Sequence, residues 1–323
     1  MAAIHGLHHI TAIAGDPQSN LDFYTGVLGL RLVKLTVNYD DPATYHLYYG
    51  DGQGHPGTIL TFFPWPGAPH GRIGTGQASV VSFAVPEKSL VYWRERLRQY
   101  QVEFEEARSA FGEEMLSLTD SDALHLELVS TPNANPTRIW ENGPVPGSYA
   151  IRGFHHVTLS ESRYESTASL LTEVLGFKPI QQIGSRLRYA AGDGGPGTMV
   201  DLTCAPQERL GRIAVGTVHH VAWRTPTDIE QAEWRKLLDR LDYGVTPIID
   251  RTYFHSIYFR EPGGVLFEIA TDPPGFAVDE PRDQLGASLQ LPPWLERDRG
   301  ELERLLPPVK LPRARGGQTD AAD

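Results

Sequence analysis

Gly6-Leu7-His8-His9-Ile10-Thr11 returns as Gly153-Phe154-His155-His156-Val157-Thr158, 147 residues further along the chain. The same offset relates Thr25-Gly26-Val27-Leu28-Gly29-Leu30 to Thr172-Glu173-Val174-Leu175-Gly176-Phe177. Pro56-Gly57-Thr58 and Pro196-Gly197-Thr198 lie 140 residues apart, as do Gly71-Arg72-Ile73 and Gly211-Arg212-Ile213. The chain therefore reads as a duplication, a feature that precedes any choice of fold. The shorter second offset leaves the first copy seven residues longer between Gly29 and Pro56, most simply as a longer hairpin.

Each copy divides again. Residues 7–14 read as a strand, and Asp16-Pro17 opens a helix carrying Leu21, Tyr24, Val27 and Leu28 that Gly29 ends. Strand-like runs follow near 31–38, 45–50 and 58–63. The cycle restarts near 78, 154 and 218, which predicts an α+β chain of four βαβββ modules near 5–70, 77–131, 152–206 and 217–272. Modules one and two occupy 1–131, and the proline-bearing segment 132–151 reads as a linker. Modules three and four occupy 152–276, and 277–323 is a Pro-rich tail with one short helix around Leu302, Leu305 and Leu306. The last ten residues are expected to be disordered.

Composition narrows the function classes. The 323 residues hold 29 basic and 40 acidic side chains, a net charge of −11 without a basic block, which argues against nucleic acid and anionic membranes as partners. No apolar run approaches the roughly 18 residues of a membrane span. Cys204 is the single cysteine, so disulfides and cysteine metal clusters are excluded, and a cytoplasmic protein is expected. Gly71-Arg72-Ile73-Gly74-Thr75-Gly76 precedes a strand rather than opening a helix, so it is not a phosphate loop. Oligomeric state is left open, with a homo-oligomer allowed.

Aligning the modules brings out two informative columns. The first strands place His9, Val80, His156 and His220 together, and the last strands place Thr61, Glu127, Asp201 and Glu268 together. A carboxylate between apolar strand residues is costly to bury without a partner, and imidazoles facing it make a divalent-metal donor set. Modules one and four would supply His9, His220 and Glu268; modules three and four would supply His156, His220 and Glu268, with Asp201 as a fourth ligand. Spacing leaves both pairings open. The plain alternative is that strand histidines pack and hydrogen-bond, since duplication copies a structural residue as faithfully as a ligand. In a regular pleat His8, His155 and His219 face away from such a site.

These residues resemble the vicinal oxygen chelate superfamily, and within it the ring-cleaving dioxygenases that act on hydroquinones. The likeness rests on Leu7-His8-His9-Ile10-Thr11, Tyr45-His46-Leu47-Tyr48-Tyr49, Pro56-Gly57-Thr58, Val218-His219-His220, Arg260-Glu261-Pro262-Gly263-Gly264-Val265-Leu266-Phe267-Glu268 and Leu291-Pro292-Pro293-Trp294. The resemblance implies paired curved mixed sheets and a ligand triad from modules one and four, His9, His220 and Glu268, holding Fe(2+), or Mn(2+) in some members. It implies pocket roles for Tyr258, Arg251 and Thr11, and for His8 and His219, the last two against the pleat argument. The implied reaction is extradiol-type cleavage of a hydroquinone or catechol with insertion of both atoms of O2. A glyoxalase-like isomerase or thiol transferase, and a metal-free protein that sequesters aromatic compounds, are the competing functions.

Overall fold

The computed structural model describes residues 3–312, so the final ten residues, expected to be disordered, lie outside the described part. Module one supplies β1 (Leu7–Ala14), β2 (Arg31–Asn38), β3 (Asp41–Gly50) and β4 (Ile59–Pro64). Module two supplies β5 (Gln77–Pro86), β6 (Phe104–Arg108), β7 (Glu114–Thr119) and β8 (His125–Thr131). Module three supplies β9 (Phe154–Glu161), β10 (Lys178–Ile183), β11 (Arg186–Ala190) and β12 (Met199–Cys204). Module four supplies β13 (Thr217–Thr225), β14 (Ile249–Asp250), β15 (Phe254–Arg260) and β16 (Leu266–Pro274). The helices are α1 (Pro17–Leu21), α2 (Leu90–Gln99), α3 (Glu165–Ser169), α4 (Asp228–Arg240) and α5 (Arg299–Leu305).

The sixteen strands form two eight-stranded mixed sheets, in the orders β14-β15-β16-β13-β1-β4-β3-β2 and β10-β11-β12-β9-β5-β8-β7-β6. Module one thus shares a sheet with module four, and module two with module three. In each sheet the first strands of two modules pair antiparallel at the centre, and each also pairs in parallel with the last strand of its own module.

The repeated motifs mark where the two copies cross. Leu7 donates its N–H to Gly197 O and Phe154 donates to Gly57 O, so each Pro-Gly-Thr turn caps the first strand of the other copy. Gly6 and Gly153 have φ of +110° and +105°. A Cβ on Gly6 would meet Gly197 O at 2.5 Å, so only glycine permits this approach. Arg72 and Arg212 exchange backbone hydrogen bonds of 2.9 and 2.8 Å, so the glycine-rich segment is the crossing of the two inter-module connections.

Alternation sends one face of each strand to the core. Ile10 and Ala12 of β1, with Val221, Trp223, Phe267 and Ile269 of β13 and β16, join Trp234 and Leu238 of α4 in the main apolar cluster. Asp16 caps α1 by accepting from Ser19 N at 2.8 Å, and Pro17 begins the helix. The helical path then widens to π geometry over Asp22–Val27 and again over Leu170–Val174. In the tail, α5 buries Leu302, and Lys34 of β2, fully buried, is paired with Asp279 and Glu280. No helix among the described residues is long and apolar enough to cross a membrane.

Candidate metal centre

On the opposite face of the first sheet, His9, His220 and Glu268 come from three adjacent strands, β1, β13 and β16. His9 Nε2 and His220 Nε2 lie 3.2 and 2.9 Å from Glu268 Oε2, and 3.3 Å from each other. All three are buried, and among the described residues they are the one group of three His, Cys, Asp or Glu side chains with so close a convergence. Glu268 Oε2 is buried without a hydrogen-bond partner, while Oε1 accepts from the Ser256 hydroxyl. Burial alone would raise the Glu268 carboxyl; the imidazoles of His9 and His220 outweigh it and hold the group well below the usual range. His220 is lowered, by burial first and against the pull of Glu268. Two imidazole nitrogens and an orphaned carboxylate oxygen make a donor set that fits a divalent first-row metal. His156 lies in the other sheet, 3.4 Å from Asp201 and 3.7 Å from Glu127.

The preceding histidines depart from the regular pleat. The β1–β13 register steps from Leu7↔Trp223 to His9↔Ala222, making His8 an extra residue, and from Thr11↔His220 to Ala12↔Val218, making His219 another. Each pair sits on a β-bulge, which re-aims the side chain that simple alternation would turn away. His8 Nδ1 is 2.9 Å from His9 Nδ1, and His219 Nδ1 is 2.8 Å from His220 Nδ1. With His9 donating from Nδ1, its Nε2 presents a lone pair to the centre, and His8 passes its own Nε2–H to Thr271 O at 3.1 Å. That chain fixes tautomer and ring direction together. Burial lowers His8 well below its ordinary value, and lowers His219 to about 3.

A cavity of about 300 Å³ opens above the cluster. Tyr258 lies opposite Glu268 in the β15–β16 register, and Arg251 donates from Nε to its hydroxyl at 3.2 Å. Burial, then the Glu268 charge, raises Tyr258 and keeps its phenol protonated. Arg251 is lowered by burial, but Tyr258, Asp40 and Glu268 outweigh that and secure its positive charge. Its Nη1 reaches Asp40 Oδ2 at 3.0 Å, so the hairpin lengthened by the seven extra residues meets the far edge of the sheet across the mouth. Phe63, Trp65, Phe254 and Leu266 supply apolar wall. Thr11 lies beneath, bonded at 2.8 Å to Thr61.

The cavity also contains residues the column comparison passed over. His46 and Tyr48 line it from β3, and Asn38, Tyr39 and Asp40 from the hairpin. Their signal lay in period-two alternation, which puts His46 and Tyr48 on one strand face. His255, despite its position near the site strands, binds Asp228 at 2.6 Å instead.

The second sheet carries the same cup with different contents. Val80 pairs with Thr158 as His220 pairs with Thr11, and Glu127 pairs with Ser82 as Glu268 pairs with Ala222. Arg188 stands opposite Asp201 as Tyr48 stands opposite Thr61. Its guanidinium holds Asp201 through two bonds of 2.7 and 3.0 Å, also pairs with Glu113, and lies 4.3 Å from the Phe111 ring centroid. Here an internal cation pairs with Asp201 and Glu113.

A cup of βαβββ modules with two imidazoles and a carboxylate at its floor is a candidate metal site in an architecture of the glyoxalase type. The chain belongs to the Glyoxalase/Bleomycin resistance protein/Dioxygenase superfamily, matched over residues 6–136 and 153–269. It is similar to "Putative ring-cleaving dioxygenase MhqO" of Bacillus subtilis (strain 168), 47% identical over 307 residues that cover 95% of this chain and 97% of that protein. It is 37% identical over 311 residues to "Chlorohydroquinone/hydroquinone 1,2-dioxygenase" of Sphingobium indicum, covering 94% and 96%. The crystal structure of a "putative dioxygenase" from Bacillus subtilis superposes with a TM-score of 0.93 at 45% identity, covering 97% of this chain and 100% of that one.

Proposed function

We propose that the protein is a metal-dependent dioxygenase that opens the ring of a hydroquinone or catechol-type aromatic, inserting both atoms of O2. The observation that carries this reading is the buried convergence of His9 Nε2, His220 Nε2 and the unpartnered Glu268 Oε2, and the similarity to the Sphingobium hydroquinone dioxygenase supports it. His9, His220 and Glu268 are the ligands, and Fe(2+) is the metal, with Mn(2+) the alternative. The chemistry such an ion supplies is activation of dioxygen beside a phenolate, because a facial triad leaves coordination positions open.

The chain's own groups do the rest. His8 and His219 fix the direction of the two ligand rings. Arg251 offers a fixed positive charge to an anionic substrate oxygen, and Tyr258, kept protonated beside Glu268, holds a proton ready for donation. Phe63, Trp65, Phe254 and Leu266 hold the ring and exclude water. Thr11 supports the floor through Thr61. A glyoxalase-like four-ligand site would require a carboxylate where Thr61 stands; its hydroxyl is instead bonded to Thr11 and His46, which favours the dioxygenase. In this reading 1–131 and 152–276 are the products of duplication joined by 132–151, while modules one and four form the working unit. We assign the protein to the cytoplasm on its single cysteine.

The test is oxygen consumption by protein loaded anaerobically with Fe(II) or Mn(II), across a panel of hydroquinones and catechols. Ring-opened products carrying two labelled atoms from 18O2 are expected. No uptake with any member of the panel rejects the assignment.

A further inference from the structure

The triad lies on the central strands of a curled sheet, and polar groups stand on both arms. Tyr258 and Arg251 belong to the β14–β15 arm, and the β3 arm bears a second polar set. Tyr48 OH is 2.8 Å from His46 Nδ1, His46 Nε2 is 2.8 Å from Thr61 Oγ1, and Thr61 Oγ1 is 2.8 Å from Thr11 Oγ1. Ring contacts hold His46 in place, with centroids 4.0 Å from Tyr48 and 4.3 Å from Phe63.

Both nitrogens of His46 are committed, so it is not a free base. Its neighbour differs: a phenol hydroxyl both donates and accepts, and the recorded bond to His46 uses one of these capacities. Tyr48 lines the cavity with the other capacity unspent. When His46 donates from Nε2, Tyr48 gives its proton to Nδ1 and turns lone pairs toward the cavity. In the other tautomer His46 donates to Tyr48, which then donates outward. The chain therefore aims the Tyr48 hydroxyl and lets it meet either a hydroxyl or a bare oxygen.

We propose that Tyr48, positioned by the His46–Thr61–Thr11 chain, holds the second oxygen substituent of the aromatic substrate and makes the pocket select rings with oxygens on opposite carbons. Oxygens on adjacent carbons lie side by side at one end of the ring, within reach of the same floor groups. Oxygens on opposite carbons are a ring's width apart, and the outer one needs a partner on the wall. The inference rests on the ring-cleaving reading for its substrate class, while its binding test stands without turnover.

The experiment compares hydroquinone and catechol on metal-loaded wild type, Tyr48→Phe, His46→Leu and His46→Gln. Oxygen uptake gives kcat/KM, and tryptophan fluorescence under anaerobic conditions gives Kd. Loss of one hydrogen bond should lower the hydroquinone-to-catechol ratio of kcat/KM about tenfold in Tyr48→Phe and raise the same ratio of Kd to a similar extent. His46→Leu should reproduce the loss, and His46→Gln, which keeps a donor and an acceptor, should restore part of it. Equal effects on the two compounds, or no effect in Tyr48→Phe, overturn the proposal. If wild type consumes no oxygen, the ring-cleavage reading fails, and the binding ratios still decide the role of Tyr48.

Discussion

Replacing Glu161 with Gln should change how stability depends on pH. Glu161 ends β9 in the second sheet and is fully buried against the 261–264 turn of the first, with neither carboxylate oxygen hydrogen-bonded among the described residues. The neighbouring Glu261 accepts from Gly263 N and Val265 N, both at 2.8 Å, and from the Thr167 hydroxyl at 2.6 Å. Burial, with Glu261 beside it, pushes Glu161 from 4.5 up to about 8. A group raised in the folded state gives its stabilisation in full below its unfolded value and loses it as pH rises toward the folded one. Between pH 4.5 and about 8 the folded protein forfeits roughly 1.4 kcal/mol per pH unit from this group, or about 3 kcal/mol by pH 7. Glutamine keeps the volume and does not titrate. Urea midpoints at pH 5, 6.5 and 8 should therefore show Glu161→Gln gaining on wild type as pH rises. Parallel pH curves for the two proteins would refute the reasoning.

Other perturbations probe the two cups. His9→Ala should abolish metal retention after gel filtration while His156→Ala retains one ion per chain, as read by elemental analysis; the reverse would move the site to modules three and four. His8→Phe keeps a ring but removes the acceptor for His9 Nδ1, and metal affinity in chelator competition should fall about 10–100-fold. Arg188→Met strands the buried Asp201 carboxylate and should cost about 3–5 kcal/mol in urea unfolding. Adding Asp201→Asn should recover much of that loss.

The modules and the column positions were legible because duplication repeats itself at fixed offsets. Val80 and His220 hold equivalent register positions, as do Glu127 and Glu268, and matching short motifs was enough to find them. Sheet partnership was less accessible. Pairing β1 with β13 spans most of the chain, and strand patterns say which face is apolar without naming the neighbour. The pleat argument failed at His8 and His219 because a bulge inserts one residue and resets alternation, and no residue type announces it. His46 and Tyr48 escaped because their equivalents in the other copy differ; Arg188 stands where Tyr48 would be.

That arginine has a consequence for supply. A soluble ion must be captured from the surroundings and is lost to chelators, whereas a guanidinium arrives with the polypeptide and remains attached to it. The sheet of modules two and three consequently carries its cation from synthesis, under metal starvation as under plenty. Through the crossings at Gly57 and Gly197 it can brace its twin, whose proposed ion must come from outside. On the proposed function, duplication has thus left one half of the molecule dependent on its environment while the other carries its cation within the chain.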